Sequence, residues 1–347
     1  MIMKELSNRR RFLKQISAAG ILSVLPASLQ SRHRPVFYRD MKGKDGKIWA
    51  CLLHISMNMW KEKSPVLPFD DSLWKDVLEK MVEAGMNMVV MDLGDAIVYK
   101  SHPEIAVKNA WSTERLFKEL EKIRSMGLEP IPKLNFSTCH DAWLGKYSRM
   151  VSTDKYYDVC RELIAEVMNI YGKPRLFHLG MDEENARNQR EHEQIVVRQN
   201  ELYWGDVYFL IGEVLKNGAR PWVWQDFVRH KPEIFARMMP KSVLQSNWYN
   251  RLDFNPETNL EVKGYQTLES LGYDQVPGGS NYYEGTDENF ISNVKFCTEH
   301  IADERLFGFI QSPWVSTEEK NREKLLKAIK LAGEARAWYE KDHSQKD

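Results

Sequence analysis

The sequence predicts a single (β/α)8 barrel over residues 40–342, and three observations carry that expectation. Eight apolar, strand-like runs alternate with eight helix-like segments in about 300 residues, the count of a barrel closed by its eighth strand. No glycine-rich loop follows the first strand: Ser56 leads into Met57-Asn58-Met59-Trp60. An open, doubly wound nucleotide-binding sheet would need glycines there. Acids and tryptophans recur where the strands end, and a barrel gathers those ends at one mouth. No internal repeat, low-complexity tract or linker interrupts the stretch from Asp40 to Tyr339.

The elements follow in order. Lys47 to Ser56 (KIWACLLHIS) is a first strand. Leu73, Trp74, Val77, Leu78, Met81 and Val82 recur at helical spacing over Ser72 to Ala84, with Asp70 or Asp71 to cap the start and Gly85 the end. Met86 to Gly94 is the second strand, Thr113 to Met126 a helix closed by Gly127, and Glu129 to Ser137 the third strand. Asp154 to Tyr171 is a helix ended by Gly172 and Pro174, and Arg175 to Glu183 is the fourth strand. Val197 to Asn217 is a helix, Arg220 to Phe227 the fifth strand, Pro232 to Met239 a short helix and Ser242 to Tyr249 the sixth strand. A weak helix spans Glu261 to Leu271, and Tyr273 to Glu284 holds the least regular strand. Asp287 to His300 is a helix, Arg305 to Trp314 the eighth strand and Asn321 to Tyr339 the last helix.

Composition narrows the function. The chain has 347 residues, 43% hydrophobic and 28% charged, a globular balance. Its net charge of zero argues against a nucleic-acid binder, which would carry a basic excess. The 11 Trp, 14 Tyr and 14 Phe suit stacking on sugar rings, and equally a large aromatic core. Cys51, Cys139, Cys160 and Cys297 show no metal-pair spacing and read as buried thiols, with a long-range disulfide left open. No metal and no cofactor is expected.

The N-terminus reads as a targeting segment. Asn8-Arg9-Arg10-Arg11-Phe12-Leu13-Lys14 resembles a twin-arginine export signal. The apolar run Ile16 to Leu25 falls short of the roughly 20 residues that span a bilayer, and small residues Ala27 and Ser28 follow it. Residues 1–33 are therefore set apart from the fold, and a periplasmic or extracellular location is expected.

Most informative is the run His178-Leu179-Gly180-Met181-Asp182-Glu183-Glu184 at the end of the fourth strand. Two adjacent acids at such a point are costly unless they serve a site. A carboxyl beside another carboxylate holds its proton more tightly, which suits a general acid. The plainer alternative is that Asp182 and Glu183 cap the following helix, although Glu184 and Asn185 could do that instead. The other strand ends offer His54; Asp92 and Asp95; Asn135 and His140; Trp224 and Asp226; Trp248 and Tyr249; Tyr282, Tyr283 and Glu284; and Trp314. Acids walled by aromatics describe a sugar pocket.

His178-Leu179-Gly180-Met181-Asp182-Glu183 resembles the His-x-Gly-Gly-Asp-Glu motif of family 20 glycoside hydrolases, the β-N-acetylhexosaminidases. Pro132-Lys133-Leu134-Asn135 with His140 is similar to that family's strand-three segment, Trp224-Gln225-Asp226 to its strand-five Trp-Asp-Glu, and Ser246-Asn247-Trp248 to its strand-six Trp. Tyr282-Tyr283-Glu284 resembles its Tyr-x-Asp, and Trp314 its strand-eight Trp, so the likeness runs from about Glu129 to Trp314. The resemblance implies substrate-assisted cleavage of N-acetylhexosamine glycans, an exception to the two-carboxylate scheme. In that scheme Glu183 protonates the glycosidic oxygen, and Asp182 orients the 2-acetamido group, whose carbonyl oxygen attacks the anomeric carbon. Tyr282 hydrogen-bonds that group, and Trp224, Trp248 and Trp314 wall the pocket. His178, Asn135, His140, Asp226 and Glu284 complete the implied substrate site.

The chain departs from the pattern at Met181, where the family has glycine, and at Asn135 and Glu284, where it has aspartate. No Arg ends the first strand to grip the outer hydroxyls, and the family's accessory N-terminal domain is not expected. Two other readings stay open. One is an ordinary retaining glycosidase, with Glu183 as acid and Glu284 as nucleophile, the carboxyls about 5–5.5 Å apart. The other is a carbohydrate-binding barrel without turnover.

Overall fold

The computed structural model describes residues 46–60 and 62–343, and the expected signal segment over 1–33 lies outside them. The strands are β1 (Ile48–His54), β2 (Met88–Asp92), β3 (Glu129–Lys133), β4 (Leu176–His178), β5 (Arg220–Trp224), β6 (Leu244–Ser246), β7 (Gly278–Gly279) and β8 (Gly308–Gln311). Between them run α1 (Asp71–Glu83), α2 (Thr113–Ser125), α3 (Asp154–Ile170), α4 (Asn200–Lys216), the short α5 (Phe227–His230) and α6 (Pro232–Met238), α7 (Leu260–Ser270) and α8 (Asn289–His300). Helix α9 (Arg322–His343) follows β8.

All eight strands are parallel, in the order β6-β5-β4-β3-β2-β1-β8-β7. The remaining seam closes through parallel bridges Gln245–Gln275 and Trp248–Gly278, with the Gly278 N–H donating to Asn247 O at 2.8 Å. Closure makes this a (β/α)8 barrel and removes the open-sheet alternative. Every residue of β1, β2 and β5 is buried, as expected of parallel strands covered on both faces.

The helices begin where the sequence carries caps: Asp70 accepts from the Leu73 N–H, Ser112 from Arg115, Thr153 from Tyr156, and Asn259 from Glu261 and Val262. Helix α1 buries Leu73, Trp74, Val77, Leu78 and Met81 against the barrel, while Val82, expected on the same face, is exposed. All four cysteines are buried and free, which excludes the disulfide left open above. No helix among the described residues is long and apolar enough to cross a membrane.

All eight strands are shorter than expected, and β4, β6 and β7 are the shortest. Strand β4 stops at His178, because Gly180, Met181 and Glu183 turn to φ of 71°, 80° and 59°. Strands β6 and β7 keep three and two residues. The acid pair thus lies on a turned segment beyond β4.

The barrel interior is not purely apolar. Lys133 is fully buried, its Nζ donating to Asp92 Oδ2 at 2.5 Å, and His54 Nδ1 lies 3.1 Å from the same oxygen. Lys133 and His54 hold the Asp92 carboxyl down to about 2 against a burial that works the other way.

Closure depends on a close backbone approach between β1 and β8. Gly308 has φ 145°, and a Cβ there would stand 2.0 Å from the Ile48 carbonyl oxygen. Gly308→Ala is expected to cost more than about 3 kcal/mol of unfolding free energy, read from urea midpoints against the wild type.

Candidate active site

The site is built from the segments that follow β3 and β4. Asn135 joins them. Its Oδ1 accepts from the Ser137 N–H (3.1 Å) and the Met181 N–H (3.2 Å), so its amide nitrogen points to Asp182 Oδ1, 3.0 Å away. The close fit explains Gly180: at φ 71°, a Cβ would lie 1.9 Å from Asn135 Oδ1. Ser137 Oγ donates to Asp182 O at 2.5 Å, a second tie between the segments. Met181 and Glu183, without glycine's freedom, hold left-handed backbone on either side of Asp182. Such strain persists only where surrounding contacts enforce it.

Asp182 is 2% exposed, and His140 lies beside it at 3%. The imidazole stands between the two acids, with Nδ1 3.4 Å from Asp182 Oδ1 and Nε2 3.5 Å from Glu183 Oε2. Burial opposes charge on both members of the Asp182–His140 pair, and their mutual attraction outweighs it. Asp182 is held well below the usual carboxylate range, by His140, Lys133 and the Asn135 amide, and His140 is raised well above the usual imidazole range. Both are therefore charged at neutral pH. The Glu183 side chain is 34% exposed, enough to meet a substrate. Its N–H donates to Asp226 Oδ2 at 2.9 Å, and burial pushes the Asp226 carboxyl up to about 6, against the pull of Arg229.

Neither acid caps a helix. Helix α4 starts only at Asn200, behind Gln199, without a side-chain cap. Glu184 does not cap it either. Its Oε1 accepts from Arg198 N (2.9 Å) and Nε (2.8 Å), and its Oε2 from Arg198 Nη2 (2.5 Å) and Thr138 N (3.2 Å). Arg198 also reaches Asp206 at 3.1 Å and Phe136 O at 2.9 Å. This buried clamp holds the β4–α4 segment against the β3 segment. Asn185 closes a turn, accepting from Asn188 N at 2.9 Å.

Aromatic rings form a continuous wall. His178 lies 4.9 Å from the Trp222 ring and 5.0 Å from Trp224; Trp224 lies 5.9 Å from Trp314, and Trp314 5.4 Å from His54. Trp248 packs under the Arg229 guanidinium, 4.3 Å from its centroid. Burial and the charge of Lys133 keep His178 neutral. Its Nδ1 accepts from the Gly180 N–H at 3.0 Å, which leaves the ring proton on Nε2. That Nε2, His54 Nε2, Trp224 Nε1 and Trp248 Nε1 are all buried without a hydrogen-bond partner among the described residues. Buried polar groups are rarely left so, and several around one wall mark a place for hydrogen-bonding oxygens.

The structure thus brings Asp182, Glu183, His140, Asn135, Asp226, His178, Trp224 and Trp314 into one neighbourhood, with Trp248 joined through Arg229. Tyr282, Tyr283 and Glu284 lie on an exposed turn after β7. Lys324 lies 4.8 Å over the Tyr282 ring and Arg251 4.6 Å over Tyr283. No hydrogen bond among the described residues ties that turn to the acids. Asp95 has a structural role, accepting from Ser56 Oγ (2.6 Å) and Asn58 Nδ2 (2.9 Å). Sequence reasoning gave no role to Lys133, Arg198, Arg229 or Trp60, whose half-exposed ring meets His140 edge-on at 5.9 Å. A lysine inside the apolar run Ile131-Pro132-Lys133-Leu134 was the one available signal.

No protein-family model matches the chain, and no curated protein matches it in sequence. Solved structures do resemble it. A chitobiase from Flavobacterium johnsoniae is 15% identical with a TM-score of 0.58, over 81% of this chain and 47% of that one. A family 20 exo-β-N-acetylglucosaminidase from Vibrio harveyi is 13% identical with a TM-score of 0.57, over 82% and 54%. An N-acetyl-β-hexosaminidase from Streptomyces plicatus is 14% identical with a TM-score of 0.58, over 82% and 64%. The chain therefore spans about half to two thirds of the length of these structures, and at this identity the likeness establishes the barrel fold.

The Asp182–His140 pair has a defined pH window. The lowered Asp182 stabilises the fold above its ordinary 3.8 and loses that effect as pH falls through its depressed value. The raised His140 stabilises fully below its ordinary 6.5 and loses that effect as pH rises through its elevated value. Asp182→Asn should therefore cost about 3 kcal/mol at neutral pH, by denaturant titration. The His140 titration, followed by NMR, should move down toward the ordinary imidazole range in that variant.

Proposed function

We propose that this chain is a glycoside hydrolase that cleaves N-acetylhexosamine glycosides with participation of the substrate's own 2-acetamido group. The observation that carries the reading is the contrast between two adjacent acids: Asp182 buried, charged and pinned, and Glu183 reaching solvent beside it. Environments that separate two carboxyls in this way divide their roles.

Asp182, an anion with one oxygen engaged by Asn135 and His140, accepts the acetamido N–H and turns the acetamido carbonyl oxygen toward the anomeric carbon. Glu183 gives its proton to the glycosidic oxygen as the bond to the anomeric carbon breaks, and the carbonyl oxygen forms the new bond. Water then opens the resulting ring while Glu183 takes back a proton, so the anomeric configuration is retained. His140, 3.4 Å from Asp182 and 3.5 Å from Glu183, holds Asp182 as the anion through the reaction. The unpartnered N–H groups of His178, Trp224 and Trp248 suit the sugar's hydroxyl and carbonyl oxygens, the bare Nε2 of His54 suits a hydroxyl proton, and Trp224 and Trp314 offer the sugar a wall. Asn135 and Asp226 position the acids. In this reading Tyr282 and Glu284 meet the substrate only from the exposed rim. The likeness to the exo-N-acetylglucosaminidase and hexosaminidase barrels supports the substrate class, and the signal-like Asn8–Lys14 segment supports action on glycans outside the cytoplasm.

Paired nitrophenyl glycosides test this, one bearing a 2-acetamido and one a 2-hydroxyl group. Only the acetamido compound should be cleaved, and Glu183→Gln should lower that kcat by about 10²–10⁴. Cleavage of the hydroxyl compound alone would reject participation, and would move attention to Glu284 as nucleophile. Cleavage of neither would favour a binding barrel.

A further inference from the structure

We infer that Cys139, His140 and Glu183 form a zinc site that switches off the acid centre when occupied. A sulfur, an imidazole nitrogen and a carboxylate oxygen from these residues lie within 4.8 Å of one another. Thiolate, imidazole and carboxylate together suit Zn²⁺ better than the harder divalent cations, and three protein ligands leave a fourth tetrahedral position for water.

Independent features already prepare His140 as a ligand. Its Nδ1 faces the buried Asp182 carboxylate at 3.4 Å, and its Nε2 faces Glu183 at 3.5 Å. A metal-bound histidine commonly has this arrangement, with a carboxylate on the far ring nitrogen fixing the ring. The supporting segments are also tied in place. Ser137 Oγ binds Asp182 O, Thr138 N binds Glu184 Oε2 at 3.2 Å, and Gln189 Nε2 binds Thr138 Oγ1 at 3.0 Å. Cys139 Sγ donates weakly to Asn188 O at 3.6 Å, a bond that a metal can replace. Binding forms Zn–S, Zn–N and Zn–O bonds and releases to solvent the thiol proton, one imidazolium proton and the Glu183 proton when that acid carries it. An occupied site ties up Glu183, so the inhibition, though not the binding, rests on Glu183 being the proton donor.

The full-length protein, stripped with a chelator, is titrated with Zn²⁺ in a calorimeter and with Co²⁺ in an absorbance cell. The wild type should bind one equivalent and show a sulfur-to-cobalt charge-transfer band. Cys139→Ser should weaken binding at least ~tenfold, abolish the band, keep basal glycoside hydrolysis and relieve Zn²⁺ inhibition. Cys139→Ala repeats the comparison if the serine variant does not fold. Wild-type protein that takes up no Zn²⁺ at millimolar concentration, or a Cys139 variant that binds as tightly as the wild type, overturns the inference. Binding and the band in a protein that hydrolyses no glycoside would uphold the site and reject the proposed activity. Hydrolysis without binding would do the reverse.

Discussion

A carboxylate buried to within 2% of full enclosure, Asp182, is the constraint around which this site is arranged. Removing such a group from water costs several kcal/mol unless charge and hydrogen bonds replace the lost solvation. Here the His140 ring and the Asn135 amide do so, with Lys133 contributing from deeper in the barrel. Each of those partners imposes a demand of its own. The Asn135 amide must sit where a side chain on residue 180 would be, so residue 180 is glycine. The same amide receives the Met181 N–H, which holds the backbone turned before Asp182. His140 must be brought from the β3 segment to stand between two acids of the β4 segment. The Ser137 and Arg198–Glu184 ties join those segments.

The barrel below contributes charge as well as shape. Lys133, Asp92 and His54 form a buried cluster in place of purely apolar packing. Lys133 acts in two directions at once, favouring the Asp182 anion and disfavouring a proton on His178. A neutral His178 can accept from the Gly180 N–H and still present Nε2–H to the site. The polar interior and the wall of hydrogen-bond donors at the mouth are thus linked through one lysine.

Much of this could be read in the sequence, because periodicity reports burial and closure buries every strand on both faces. The strand and helix order follows from runs such as Ile48–His54 and from caps such as Asp70 and Ser112. The Asp182–Glu183 pair could be read because acids at the end of an apolar run demand an explanation. The early end of β4 was not legible: left-handed backbone at Met181 and Glu183 is enforced by contacts from Asn135 and Asp226, not by local propensity. The Cys139, His140 and Glu183 grouping was equally hidden, since adjacent residues of one segment meet a residue from a distant one. For Tyr282 and Glu284, strand order correctly gave the element after which they fall. It could not show that β7 ends at Gly279 and leaves them on an exposed turn.

In the proposed mechanism the substrate's acetamido oxygen is the nucleophile, presented by the Asp182 anion. Rates with aryl glycosides whose 2-acetamido methyl carries zero, one, two or three fluorines test it most directly, because each fluorine weakens that oxygen while leaving the leaving group unchanged. The kcat should fall steeply with every fluorine. A kcat that stays flat across the series would contradict it, whatever the identity of the acid.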